Sequence, residues 1–405
     1  MRKNIILAIL VVAVVGIIAY LEIIKPSQGP VTTVLQTIEN ASTTDAASSN
    51  ASTTSSSTAD TSGTAAAKSF LASRASTIAT ESKEYQAAPE IADPSGFINT
   101  APFKLSDFVG KDVVLVDFWT YSCINCVRTI PYLNAWYQKY SKDGLVIVGI
   151  HTPEFDFEHD YANVAAAVKQ YGIQYPVVLD NNMGTWNAYQ NLYWPHEYLI
   201  NIDGFITYDH VGEGDENQTE SAIQSALAQR AQALGIPNPV ANSGMTTPTD
   251  TIAINYAAVQ TPETYFGAER NGYLANGPVM TNGIYNLTIP SSTSGGANPV
   301  ATGAGSQGFY LGGTWNFADQ YATNQTANAT ILYNYSAKNV YMVAASASPS
   351  TPVTVQVLLD GKSYGTVTIQ ANQLYPIIQG NSYGSHTLEL IVKNPGLQAY
   401  TFTFG

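Results

Sequence analysis

"DFWTYSCINCVRTIP", residues 117–131, holds both cysteines of the 405-residue chain, Cys123 and Cys126, with only Ile124 and Asn125 between them. The run before it, "VVLVDFW", reads as a buried strand, Thr120 to Ser122 as a short loop, and Cys126 onward as a helix. Cys123 is therefore expected at or just before a helix N-terminus, where unpaired N–H groups and the helix dipole favour negative charge on sulfur. A structural zinc clip needs four ligands; there is no third cysteine, and the five histidines are scattered without paired ligand spacing. A purely structural disulfide across so short a loop would constrain the unfolded chain little. The pair reads as redox-active.

Around this stretch, residues 90–235 mix strand-like runs ("VVLVDFW", "GLVIVGIH", "YPVVLD", "HEYLINIDG") with helical patterns ("VRTIPYLNAWYQKY", "YANVAAAVKQYG", "ESAIQSALAQRAQAL"), an alternating α/β texture. Residues 236–250 read as a linker. Residues 251–405 are rich in short strand patterns, turn residues and tyrosines and read as an all-β antiparallel two-sheet sandwich. Within it "VTVQVLLDGKSYGTVTIQ" carries a hairpin signal at Asp360-Gly361. Trp315, Tyr310, Tyr321 and Tyr341 are of the type that stacks on sugar rings, although alternate aromatics also fill sandwich cores.

Toward the N-terminus, residues 69–89 read as a helical or linker lead-in. Residues 26–68, dominated by Ser, Thr, Ala and Asn, cannot bury enough apolar surface to offset ordering and read as a disordered stalk. Residues 1–25 read as a membrane anchor: Arg2 and Lys3 precede an uncharged run from Ile5 to Leu21, at the lower end of the roughly 17–25 residues a spanning helix needs. The positive-inside tendency would hold the N-terminus in the cytoplasm and the rest outside. No convincing small-x-small site follows, so an uncleaved anchor is expected over a signal peptide. N-x-S/T triplets at Asn40, Asn50, Asn217, Asn286, Asn324, Asn328 and Asn334 are glycosylation acceptors or chance in a Ser/Thr-rich chain. A net charge of −13 with 12% charged residues argues against a nucleic-acid partner.

The wording "VDFWTYSCINC", "RTIPYLNAWY" and "YWPHEYLINIDG" resembles the extracytoplasmic thioredoxin-like proteins of the TlpA/ResA type, and especially the thioredoxin-like portion of DipZ-type proteins. The resemblance extends to the C-terminal region, which looks like the carbohydrate-binding-module-like sandwich of that group. It implies a thioredoxin-like fold for residues 90–235, with Asp117 as a buried carboxylate beneath the cysteines, Trp119 and Tyr121 as aromatic cover, and Pro131 as a kink in the active-site helix. Trp194-Pro195 would begin a cis-proline segment facing the cysteines. Glu154 would be a second buried carboxylate able to share proton relay, and residues 155–172 would be a helical insertion. His196 is not assigned to the site. Two departures stand out: Ile124-Asn125 replaces the usual inter-cysteine pairs, and Thr120-x-x-Cys123 matches a fragment of the peroxiredoxin signature.

The expected chemistry is thiol–disulfide exchange. Cys123 attacks a substrate disulfide, the Pro195 segment positions the mixed disulfide, and Cys126 resolves it with help from Asp117 or Glu154. No cofactor is expected beyond the Cys123–Cys126 disulfide, since no flavin, haem or nicotinamide motif is present. A separate electron donor is needed, by resemblance a CcdA/DsbD-like membrane thiol transporter. The implied substrates are disulfides of exported proteins, apocytochrome c among them. The alternatives are a thiol peroxidase and a cell-surface glycan-binding protein with a thioredoxin-like scaffold.

Overall fold

The computed structural model describes residues 61–290 and 308–405. The anchor reading over residues 1–25 and most of the stalk lie outside the described residues, and among those described no helix is long and apolar enough to cross a membrane. The expected disorder of the stalk up to residue 68 is corrected at its end, because helix α1 spans Thr61–Glu84. Its alanine-rich start suits a helix. Farther along, Ile78 is buried and Arg74 pairs with Asp203, anchoring α1 to the following domain.

The first domain is a seven-stranded sheet in the order β1-β7-β6-β3-β4-β5-β2. The strands are β1 (Gln86–Ala87), β2 (Gly96–Ile98), β3 (Val113–Trp119), β4 (Leu145–His151), β5 (Val177–Leu179), β6 (His196–Ile200) and β7 (Phe205–Val211). The central β3 is parallel to β4 and antiparallel to β6. Every residue of β3 is buried, as its unbroken apolar run implies for a strand covered on both faces. Helices α2 (Ile124–Tyr140), α3 (Tyr161–Gln170) and α5 (Glu216–Leu234) cover one face, packing Ile130, Leu133, Val164 and Leu227 onto Leu115 and Leu199. On the other face Trp186 of α4 (Gly184–Ala188) and Tyr189 pack on Val116 and Phe118. The Asp160 carboxylate caps α3 by accepting from Ala162 N at 2.8 Å, which satisfies an otherwise orphaned donor.

The second domain contains β8 (Thr264–Tyr265), β9 (Gly283–Leu287), β10 (Phe309–Phe317), β11 (Ala322–Asn324), β12 (Ala329–Ser346), β13 (Val353–Leu359), β14 (Lys362–Ile369), β15 (Gln373–Val392) and β16 (Leu397–Phe404). All named strands pair antiparallel. The expected two separate sheets are instead one hydrogen-bonded network of nine strands. The cause is β12: one edge follows β15, while the other pairs first with β10 and then with β16, with register shifts on the way. Such irregularities let a long strand bend from one layer to the next. The β13–β14 hairpin turns at Asp360 and Gly361, both at positive φ, the conformation a two-residue type I′ turn requires. Asn324 is fully buried, its amide donating to the Thr326 and Asn394 carbonyls, so that triplet is closed to glycosylation.

The domains meet through Phe155, Phe157, Val343, Ala345, Tyr400, Tyr265, Tyr321 and Leu374. This shared apolar patch lies beside the loop that carries the cysteines.

Candidate active site

Cys123 is the N-cap residue of α2, half-buried, and its thiol donates to the Trp194 carbonyl at 3.9 Å. The Trp194–Pro195 peptide is cis, and Leu192 and Tyr193 just before it are exposed. Cys126, one turn into the helix, is buried. Burial pushes its thiol well above the ordinary range, reinforced by a hydrogen bond and charge from Cys123 and by the charge of Asp117. One sulfur is thus presented at the surface and the other is held protonated behind it.

Asp117 lies on β3 on the same sheet face as Leu115 and Trp119, the face that α2 covers. It is buried, its Oδ1 has no hydrogen-bond partner among the described residues, and desolvation raises its carboxyl to about 7. Its ladder partners are Gly149 on one side and Glu197 on the other. Trp119 Nε1 and the Tyr175 ring close over Gly149, where an added Cβ would come within 2.9 and 3.2 Å of them.

Tyr121 is buried and stacks on His151 at 5.7 Å; its hydroxyl donates to Asn372 O of the second domain at 3.2 Å. Trp119 meets the same His151 edge-on. Burial lowers the His151 ring to about 3, so it is neutral packing. Trp194 donates from Nε1 to Thr152 O at 3.0 Å and lies against Trp186. Thr120 turns its hydroxyl toward His151 Nε2, 3.5 Å away. His196 is held by Asn191, Tyr198 and Asp209.

Glu154 does not join the cysteines. Its carboxylate accepts from Arg270 at 2.7 Å and from the Tyr265 hydroxyl at 3.0 Å, both in the second domain. The expectation of a relay role is corrected to an interdomain contact, because the chain after β4 turns toward β8 and carries Glu154 with it. The carboxylate beside the active-site loop is Glu158, buried, accepting from Ser122 Oγ at 2.6 Å and from the backbone of Glu154 and Phe155. It clamps the loop leading into Cys123. Arg128 makes a bidentate pair with Glu213 and donates to Asn125 Oδ1 at 2.9 Å, fixing the residue before Cys126. The signals for these groups were slight: Glu158 caps a one-turn helix, and Glu197 is a lone acid in the apolar run "HEYLI".

Of the four aromatics that could stack on sugar or fill the core, most pack inward. Trp315 is fully buried and donates to Gly312 O, Tyr321 packs on Tyr400 in the domain contact, and Tyr341 is buried. Tyr310 alone of the four stays half-buried outside these ring contacts. No group of three or more metal-ligating side chains occurs among the described residues.

A cysteine at a helix N-cap, its buried partner and a facing cis-proline define a thioredoxin-like domain of the thiol–disulfide oxidoreductase type. Residues 85–209 match the AhpC/TSA family, and residues 261–405 match the family described as thioredoxin like C-terminal domain. The chain is 37% identical over 321 residues to Protein DipZ of Mycobacterium bovis, covering 78% of this chain and 43% of that protein. It therefore spans less than half the length of those relatives. It is 32% identical over 121 residues to the thiol-disulfide oxidoreductase ResA of Bacillus cereus, covering 30% of this chain and 66% of that protein. A DsbE thiol:disulfide interchange protein of Chlorobium tepidum aligns with 28% identity over 35% of this chain and 96% of its own, at a TM-score of 0.32. The chain is thus similar to the DipZ proteins across two regions, one matching the AhpC/TSA family and one matching the thioredoxin-like C-terminal domain.

Proposed function

We propose that this chain is a membrane-anchored, extracytoplasmic enzyme that reduces disulfides of exported proteins through Cys123 and Cys126. The observation that carries the reading is the asymmetry of the pair: Cys123 half-exposed beside the cis-Pro195 segment, Cys126 buried on the Asp117 side. The Cys123 thiolate attacks a substrate sulfur. The extended substrate backbone lies along the Trp194-Pro195 segment, with Leu192 and Tyr193 as its apolar lip. Cys126, once deprotonated toward Asp117, displaces the substrate thiolate and closes the Cys123–Cys126 disulfide.

The apolar run Ile5–Leu21 supports tethering with the folded domains outside, and a cytochrome c maturation role follows from the resemblance to the TlpA/ResA group. Reloading would need a CcdA/DsbD-like membrane thiol donor. The sandwich-like β domain braces the active-site loop through Asn372; its likeness to carbohydrate-binding modules leaves attachment to cell-envelope glycan as its second task. A peroxidase reading rests on the AhpC/TSA match and on Thr120. The test is reduction of an oxidised protein disulfide and, separately, consumption of hydrogen peroxide by the full chain, with Cys123→Ser and Cys126→Ser as controls. The account expects disulfide reduction that needs both thiols; peroxide turnover surviving Cys126→Ser would replace it with the peroxidase.

A further inference from the structure

The buried acid Glu197 has no part in the scheme above. It sits directly opposite Asp117 in the antiparallel β3–β6 register, so the two side chains leave the same face of the sheet. Both are buried. Beyond Glu197 the polar groups continue: Thr219 on α5 lies close enough to act on its carboxylate, and the Thr219 hydroxyl lies 3.0 Å from the Tyr208 hydroxyl on β7. Tyr208 in turn lines a cleft of about 590 Å³ beneath α1, together with Arg74, Glu81, Leu199, Asp203 and Gln229. This cleft lies toward the far end of β6 from cis-Pro195.

We propose that Glu197 is a proton-relay residue of this exchange reaction, sharing the proton that Asp117 takes from Cys126 and passing it through Thr219 and Tyr208 to the cleft beneath α1. The inference rests on the exchange reading above. In the resolving step Cys126 loses its proton to the Asp117–Glu197 pair, and its sulfur attacks Cys123 of the mixed disulfide. The Cys123–substrate bond breaks and the Cys123–Cys126 bond forms. The departing substrate thiolate carries the electron pair and is protonated by water on the substrate side. Substrate is reduced, the cysteine pair is oxidised, and one proton per turnover leaves by the cleft.

The groups facing the pair are Cys126 and Cys123 on α2, Tyr175 before β5, Glu216 and Thr219 on α5, and Tyr208 and His210 on β7, His210 standing directly opposite Glu197 in the β6–β7 register. None is a lysine or arginine that would hold both carboxylates ionised. Burial and the charge of Asp117 raise Glu197 to about 8, beside Asp117 at about 7. Two buried acids on neighbouring strands resist ionising together, which favours a proton held between them.

The test uses stopped-flow reaction of the reduced full chain with a chromophoric aryl disulfide. The first aryl thiolate reports attack by Cys123, and the second reports resolution by Cys126. Glu197→Gln is expected to leave the first phase unchanged, to slow the second roughly tenfold at pH 7, and to remove one proton from its pH profile. Combined with Asp117→Asn it should be no slower than Asp117→Asn alone, since the two act as one unit. Glu197→Asp should restore part of the rate. Should Glu197→Gln not fold, Thr219→Val breaks the exit and is expected to slow the same phase. A second phase unchanged in rate and pH profile, or losses that multiply in the double variant, would overturn the proposal. Absence of both phases in the wild type would instead defeat the exchange reading itself.

Discussion

Asp117→Asn is expected to make the protein more stable at neutral and alkaline pH while impairing resolution. Desolvation raises the Asp117 carboxyl from 3.8 to about 7, so ionising it in the folded chain costs more than in the unfolded one. Below pH of about 4 both states hold the proton and the group contributes no penalty. Between about pH 4 and 7 the unfolded chain releases it first, and stability falls by up to about 1.4 kcal/mol per pH unit. Above about pH 7 both states are ionised and the full cost, about 4 kcal/mol, is present. Asparagine carries no such charge. Its amide must still be accommodated, which takes back about 1–2 kcal/mol. The net gain is therefore roughly 2–3 kcal/mol at pH 8, shrinking on acidification until only the amide cost remains near pH 4. Urea unfolding of the full chain reports it through tryptophan fluorescence, since Trp119, Trp136, Trp186 and Trp194 all lie in the first domain. A variant no more stable than wild type at pH 8, or a difference independent of pH, would refute the desolvated carboxylate.

Gly149→Ala places a methyl group against Trp119 and Tyr175; a loss of about 1–3 kcal/mol is expected in the same unfolding assay. Glu154 and Arg270 join the domains across a partly exposed contact, so a double-mutant cycle with Glu154→Ala and Arg270→Ala should return a coupling of about 1 kcal/mol, with faster proteolysis of residues 236–263 as the second readout. Trp315→Ala empties the core of the β domain and should cost about 3–5 kcal/mol; loss of polysaccharide binding in a variant that stays fully folded would contradict its placement there.

The sequence made the first domain legible because its signals are local. An apolar strand, a short loop and a helix holding two cysteines can be read within fifteen residues, "DFWTYSCINCVRTIP". The cysteines, Asp117 and the Trp194-Pro195 segment fall together in space because β3 and β6 are neighbours. What escaped depends on pairing and packing between distant segments. Glu154 and Glu158 are four residues apart on one turn, and nothing local tells which faces the loop and which faces the second domain. Glu197 becomes significant only once the register sets it opposite Asp117. The aromatics of the β domain looked alike in sequence, yet burial sorts Trp315 into the core, Tyr321 into the domain contact and Tyr310 to the half-exposed surface. The two-sheet expectation missed how β12 bends, because strand patterns give lengths and not partners.

The central claim is that Cys123 and Cys126 form a reducing exchange couple. Equilibrium redox titration of the full chain, read by the mass shift of thiol alkylation with Cys126→Ser as control, tests it most directly. The account predicts one reversible two-electron couple near or below about −250 mV; a couple near −120 mV would make the protein an oxidant, and no reversible couple at all would contradict the claim outright.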